Sequence, residues 1–254
     1  MRSFLISSVL IPMVLTCASV CRAQEAKSDK QPRIIVAAPL AISPGTPVKL
    51  AVRGLFLDEI LEVKIGGTEI KAEIASKGKT AVPQNYDPQR VGDTQAEIKF
   101  ALPADAPHGP LKLVAVTAGG VSVPYEITVA SATDLIEEKE PNDGFKAAQS
   151  ITPGKSIVGT IHDARNVDVY AIQGQPGQKL VIELLASQAG SPLDPFLTLY
   201  DSRGQIVAGN DDSNGRDPRL ELELKNPDSY FLSIQDANDA GGPHFAYLLK
   251  ITRR

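Results

Sequence analysis

The chain has no tryptophan, its aromatic residues amount to 5%, and it carries two cysteines and three histidines in 254 residues. Each scarcity removes a class of function. With so few rings, a carbohydrate-stacking platform or an aromatic-rich binding surface is disfavoured. His108, His162 and His244 fall in turns or at a strand end, and none lies in a nucleophile elbow or a zinc-binding helix motif. No base and nucleophile are placed to meet, so a non-catalytic protein is expected. His162 with Asp163 and Asp168 offers a weak metal or acid/base cluster, against the plainer reading of a surface histidine in a turn.

Long apolar runs are missing everywhere except at the start. Met1-Arg2-Ser3 precedes an apolar run from Phe4 to about Val20, which ends in Cys21-Arg22-Ala23-Gln24. A basic start, an apolar centre and a small residue before a cut after Ala23 describe a secretory signal peptide. Ser7, Ser8, Pro12, Thr16 and Ser19 interrupt the run, so it makes a poor membrane span, and no later stretch is apolar enough for one. Neither Cys17 nor Cys21 follows the small residues of a lipoprotein cleavage site, so lipid anchoring is disfavoured. Both cysteines would leave with the signal. The exported chain then has no disulfide framework, thiol nucleophile or thiolate metal site. Arg2 and Arg22 leave with it and no acidic residue does, which takes the formal charge from −4 to −6. That mild acidity argues against nucleic acid and is compatible with divalent cations.

What is abundant is β patterning. Short apolar runs at 34–36, 48–52, 61–65, 96–100, 111–116 and 123–129, punctuated by Pro and Gly, predict a first β-sandwich over 33–130. Ser76 to Asp93 lacks apolar periodicity and reads as a long loop with Lys77, Lys79 and Arg90 on its surface. A polar tether over 24–32 precedes this half, and an acidic linker over 131–144 follows it. Lys146 to Ser150 reads as a single helical turn. Runs at 156–161, 167–172, 179–184, 195–200, 205–208, 219–224, 230–234 and 246–251 then predict a second sandwich over 145–254, of jelly-roll type.

The acidic connector, Glu137-Glu138-Lys139-Glu140-Pro141-Asn142-Asp143-Gly144, is the main functional clue. Glu138, Glu140 and Asn142 are two apart, so in an extended segment their side chains leave one face. Pro141 favours extended geometry at Glu140, and Asp143-Gly144 reads as a turn returning another carboxylate to that face. Mixed carboxylate and amide oxygens suit a hard cation such as Ca2+. A solvated acidic hinge is the competing reading. A second acidic run, Asn210 to Asp217, lacks the glutamate that closes an EF-hand and reads as a hairpin loop.

Two resemblances add to this. Pro44 to Phe56, Val63-Lys64-Ile65-Gly66-Gly67 and Ala118 to Ser122 are similar to the immunoglobulin-like IPT/TIG group, which implies a spacer or binding module over roughly 33–130 and brings no catalytic residue. Gly66-Gly67 and Gly119-Gly120 fit tight hairpin turns. From about Glu138 to Ile251 the chain resembles the bacterial pre-peptidase C-terminal (PPC) domain, found beside secreted peptidases and related to collagen-binding domains of clostridial collagenases. The resemblance rests on an ordered series: Glu138 to Asp143, Gly159, Asn166 to Tyr170, Gly177 to Leu180, Leu193 to Asp201, Gly204, Asn210-Asp211-Asp212, Asp228-Ser229-Tyr230 and Tyr247. It implies Ca2+ held by Glu138, Glu140, Asn142 and Asp143 with Asp168 from the strand entry. Arg165 and Asn166 stand where a further carboxylate is expected, and Tyr170, Tyr200, Tyr230 and Tyr247 are implied to pack.

The expectation is therefore an all-β, secreted (periplasmic or extracellular), monomeric and non-catalytic protein. Its second sandwich, conditioned by Ca2+, would bind an extracellular protein, matrix or polysaccharide surface. An accessory module for secretion or folding of a separate peptidase is the alternative, and a hydrolase is disfavoured.

Overall fold

The computed structural model describes residues 30–66 and 70–254. The expected signal peptide with both cysteines, residues 24–29 of the expected tether and Gly67 of the expected hairpin turn lie outside the described residues.

The first half contributes β1 (Arg33–Ala38), β2 (Ala41–Ile42), β3 (Pro47–Leu55), β4 (Glu62–Ile65), β5 (Glu73–Lys79), a short helix α1 (Pro88–Val91), β6 (Thr94–Ala101), β7 (Gly109–Thr117), β8 (Gly120–Val121) and β9 (Tyr125–Val129). They form two sheets, β1-β3-β6-β5 and β2-β9-β7-β4, with β8 added to β7. Alternation decides which face is buried. In β4, Glu62 and Lys64 point to solvent while Val63 and Ile65 point inward. Leu50, Val52, Ile98, Ile65, Leu113 and Ile127 from the two sheets meet in one core.

The second half contributes β10 (Leu135–Glu137), β11 (Gln149–Ser150), β12 (Ser156–Thr160), β13 (Val167–Gln173), β14 (Lys179–Leu185), β15 (Pro195–Tyr200), β16 (Ile206–Asn210), β17 (Arg219–Glu223), β18 (Ser229–Asp236) and β19 (Ala246–Arg253). Their sheets run β10-β12-β19-β14-β17 and β11-β13-β18-β15-β16. Ile157, Ile172, Leu180, Ile182, Leu197, Leu232 and Leu249 fill the space between them. The protein is all-β and built of β-sandwiches.

Three local expectations are corrected. Ser76 to Asp93 is not one loop: β5 covers Glu73–Lys79 and pairs with β6, and α1 follows, with Asp87 Oδ1 accepting from Gln89 N at 2.8 Å. β5 lies at a sheet edge with most of its residues exposed, so it needs no apolar alternation. Lys146 to Ser150 forms no helix; Ala147 N closes a turn onto Gly144 O at 2.9 Å, and Gln149–Ser150 is already β11. Within the acidic linker, Leu135–Glu137 forms β10, running parallel to β12.

The two sandwiches also touch directly. Val36 and Leu40 pack with Ala246, beside Ala189 and Leu248. The Tyr125 hydroxyl donates to Ala189 O at 2.8 Å and accepts from Ala37 N at 3.2 Å. Tyr86 meets Phe245 edge to face with centroids 6.3 Å apart.

Candidate metal centre

The backbone brings the connector into the second sandwich. After β10, Glu138 N continues the ladder to Val158 O at 3.0 Å, and Val169 N then donates to Asn142 O at 2.9 Å. These two bonds hold the connector at both ends, against β12 and against β13. Between them the backbone bends at Glu140, Asp143 and Gly144, and this bend, in place of the extended face expected from the two-residue spacing, lets Asn142 reach both glutamates. Asn142 Nδ2 donates to Glu138 Oε1 at 3.1 Å, and Asn142 N donates to Glu140 Oε2 at 3.0 Å. On β13, Asp168 and Tyr170 share the inward face, and both are fully buried.

Glu138 is the hub. Its side chain is 6% exposed. Oε1 accepts from Tyr170 at 3.1 Å and Tyr247 at 2.8 Å, and Oε2 accepts from Thr160 N at 2.8 Å. Tyr247 also lies 2.6 Å from Asp168 Oδ2, and the two hydroxyls are 2.5 Å apart. Two hydroxyl hydrogens serve two of these four oxygen contacts, and a proton on a carboxyl group serves a third. It sits on Asp168, whose carboxyl is pushed up to about 10 by burial first, then by the hydrogen bond to Glu138 and its charge. Burial and the same carboxylates push both tyrosines upward, so they remain donors.

Two oxygens at this site, Asn142 Oδ1 and Asp168 Oδ1, are buried without a hydrogen-bond partner. Both residues are 0% exposed. Buried acceptors are nearly always satisfied, so this pair calls for a donor or a cation beyond the side chains around it. The proton on Asp168 serves the Tyr247 contact at Oδ2 and leaves this pair as it is. Carboxylate and amide oxygens are of the type that calcium and magnesium take.

Asp143 stands apart from that group, its Oδ1 accepting from Asn166 Nδ2 at 2.8 Å. Asn166 Oδ1 in turn accepts from His162 N at 3.2 Å, so this side-chain oxygen braces the loop before β13. Arg165 is exposed. His162, read from sequence as a plain surface residue, places Nδ1 3.3 Å from Glu140 Oε1 and 4.0 Å from Glu138 Oε2. Tyr170, Tyr230 and Tyr247 are buried as expected, but two of their hydroxyls are site donors. No sequence signal separates those two roles. The loop from Asn210 to Asp217 is largely exposed, except that the Asp217 carboxylate is buried and accepts from Ser187 N at 2.7 Å and Gln188 N at 3.1 Å.

Two other features bear on function. Phe145, 38% exposed and two residues past Asp143, stacks on Phe231 at 4.5 Å and leans on Tyr200 at 5.3 Å, an aromatic surface that the composition disfavoured. His244 is 4% exposed, and its pKa is pulled down to about 4 by burial and then by the Arg53 charge.

No family model matches the chain. A probable subtilase-type serine protease of Deinococcus radiodurans is 33% identical over 117 residues, which are 44% of this chain and 16% of that protein. The chain thus matches about a sixth of that relative's length. The pre-peptidase C-terminal domain of a Bacillus anthracis collagenase is 18% identical, covering 45% of this chain and all of that one, with a TM-score of 0.36. The resemblance read from the motif series is to that same domain class. SGBP-B of the Bacteroides ovatus mixed-linkage glucan utilization locus, solved with a heptasaccharide, is 10% identical over 87% of this chain and 74% of its own, with a TM-score of 0.29.

Proposed function

We propose that this is an exported, non-catalytic accessory protein whose connector binds Ca2+ and thereby fixes the start of the second sandwich, which engages an extracellular protein or polysaccharide surface. The observation that carries the cation reading is the pair of buried, unpartnered oxygens on Asn142 and Asp168 beside the hydrogen-bonded Glu138 carboxylate. The ligand set is Glu138, Glu140, Asn142 and Asp168, with Asp143 on its flank. A hard cation here would tie residues from the connector to β13 and so couple binding to folding.

The binding half of the proposal rests on Phe145. Its exposed ring leaves the same connector that holds the site, so the state of the site governs how firmly that ring is presented. The 117-residue likeness to a stretch of a subtilase-type protease favours a second, narrower reading, an accessory module acting beside a separate peptidase.

The test is calorimetric titration of chelator-treated protein with Ca2+, alongside a Glu138→Ala/Glu140→Ala variant. Saturable binding that the variant loses supports the cation reading, and no binding by wild type refutes it. Tryptic cleavage after Lys139 should appear on chelation and be suppressed by Ca2+, because the Lys139 amide is otherwise held by Gln149 Oε1 at 2.8 Å. Turnover of a peptidase or glycosidase substrate that His162→Ala abolishes would overturn the non-catalytic assignment.

A further inference from the structure

A cleft of about 760 Å³ between the two sandwiches holds three arginines and none of the connector residues. We infer that it binds an acidic polysaccharide, its guanidinium groups pairing with uronate carboxylates. Arg33 comes from β1, Arg90 from α1 and Arg216 from the loop before β17, so three separate segments bring their charges to one cavity. Among the described residues Asp87 is the one carboxylate of its lining, and Oδ1 of that group is engaged by Gln89 N at 2.8 Å. In a chain whose formal charge is −4, this local excess of positive charge is where an anion is drawn. Planar guanidinium groups match carboxylates in two-point pairs, which gives the attraction a chemical preference.

The protein does not meet this charge itself. Among the described residues neither Arg33 nor Arg90 forms an ion pair. Arg33 donates through Nη2 to Gln89 O, while its Nε is buried with no acceptor, and Arg90 is exposed. Arg216 is partly met, with Nη1 3.6 Å from Asp194 Oδ2 and Nε donating to Ser187 Oγ at 3.2 Å. Asp236, the other carboxylate acting on Tyr86, already accepts from Asp194 N, Asn238 N and Ala240 N. The rest of the lining favours a sugar over a peptide. Gln84, Asn85 and Asn238 offer amides for hydroxyl groups, and the Tyr86 ring is taken up by its edge-to-face contact with Phe245. An acidic peptide would be held best by adding to a free strand edge. β1 lies at a sheet edge here, but a Cβ at Gly190 would fall 1.9 Å from Ile35 O, so the loop around Gly190 already covers that strand. The same close approach fixes the two walls of the cleft against each other, so the site is formed before a ligand arrives.

This inference names a class of polysaccharide but rests neither on Ca2+ nor on Phe145. Wild type and an Arg90→Gln variant, whose altered side chain is exposed and so leaves the fold intact, are titrated calorimetrically with tetragalacturonate, maltotetraose and a tetraglutamate peptide. Chelator is present throughout, so that Ca2+ bridges no carboxylates. Wild type should bind tetragalacturonate but not maltotetraose, and should lose affinity as salt is added. Arg90→Gln should bind tetragalacturonate at least about tenfold more weakly, the worth of one charge-assisted hydrogen bond, and Arg33→Gln should do the same. No binding of tetragalacturonate by wild type, or equal binding by Arg90→Gln, overturns the inference. Tighter binding of the tetraglutamate peptide makes the cleft a peptide site and overturns the sugar assignment. Calcium titration of wild type separates this cleft from the proposed function. Calcium binding without tetragalacturonate binding removes the cleft alone, and the reverse removes the cation site alone.

Discussion

The Tyr247 hydroxyl lies 2.8 Å from Glu138 Oε1 and 2.6 Å from Asp168 Oδ2, joining two buried carboxyl groups that approach from different segments of the chain. Glu138 follows β10 and Asp168 belongs to β13, so this hydroxyl couples the connector to the sandwich. Tyr247→Phe removes the hydroxyl while keeping the ring's packing. It leaves Glu138 Oε1 one donor short and the Asp168 carboxyl without its hydroxyl partner, at a cost of about 1–3 kcal/mol. A lower denaturation midpoint with an unchanged m-value is expected in the metal-free protein; an unchanged midpoint would show that the hydroxyl is dispensable.

The proton on Asp168 gives the cation reading a pH signature. Ca2+ needs the ionised carboxylate, and the Asp168 carboxyl is pushed up to about 10, so each binding event near neutral pH should release about one proton. Affinity should then rise with pH by up to about tenfold per unit across the range below that pKa. The metal-free fold behaves oppositely. Between the ordinary value of 3.8 and about 10 it holds a proton that the unfolded chain has lost, so its stability falls as pH rises through that window. Calorimetry in buffers of different ionisation enthalpy counts the protons, and a count of zero would remove Asp168 from the ligand set.

His244 supplies a signal of the other sign. It is neutral in the fold because burial and the Arg53 guanidinium hold its pKa at about 4, against 6.5 ordinarily. The unfolded chain therefore binds a proton that the fold does not. Stability is full above pH 6.5 and drains away as pH falls toward 4, by up to roughly 3 kcal/mol. Since Arg53 belongs to β3 and His244 precedes β19, the loss should loosen the contact between the sandwiches. Acid unfolding of a His244→Leu variant should show a flatter profile over that window, and an unaltered profile would assign the acid sensitivity to other groups.

How much of this was legible in the sequence depended on where each signal lies. The strands of the second sandwich carry their apolar residues in compact runs, and the expected 179–184 and 195–200 became β14 (Lys179–Leu185) and β15 (Pro195–Tyr200). β5 escaped because an edge strand with most of its residues in solvent needs no apolar alternation. At the site, the sequence singled out Glu138, Glu140 and Asn142, but their contacts come from a bend in the connector and not from the extended face that the two-residue spacing predicts. Tyr170, Tyr247 and Thr160 were not legible as donors. They reach Glu138 from 32, 109 and 22 positions away: the pairing of β12 with β19 and of β10 with β12 brings Tyr247 and Thr160, and the bond from Val169 N to Asn142 O holds β13, with Tyr170, against the connector.

Gly159 shows how such pairing turns a motif position into a physical requirement. It belongs to β12 and lies opposite Tyr247 on β19. A Cβ added there would fall 2.3 Å from the Tyr247 hydroxyl oxygen and 2.4 Å from the ring carbon that bears it. The tyrosine lies across the glycine, and that is how its hydroxyl reaches both carboxyl groups. In Gly159→Ala either the ring is displaced or β12 moves away from β19. Displacement of the ring leaves Glu138 and Asp168 without their shared partner and costs about 2–4 kcal/mol. A double-mutant cycle distinguishes the two outcomes. If Gly159→Ala acts by expelling the hydroxyl, adding Tyr247→Phe should cost little more and both variants should lose Ca2+ binding together. If the two losses simply add, the alanine acts on the strand pairing and the glycine serves the sheet instead of the site.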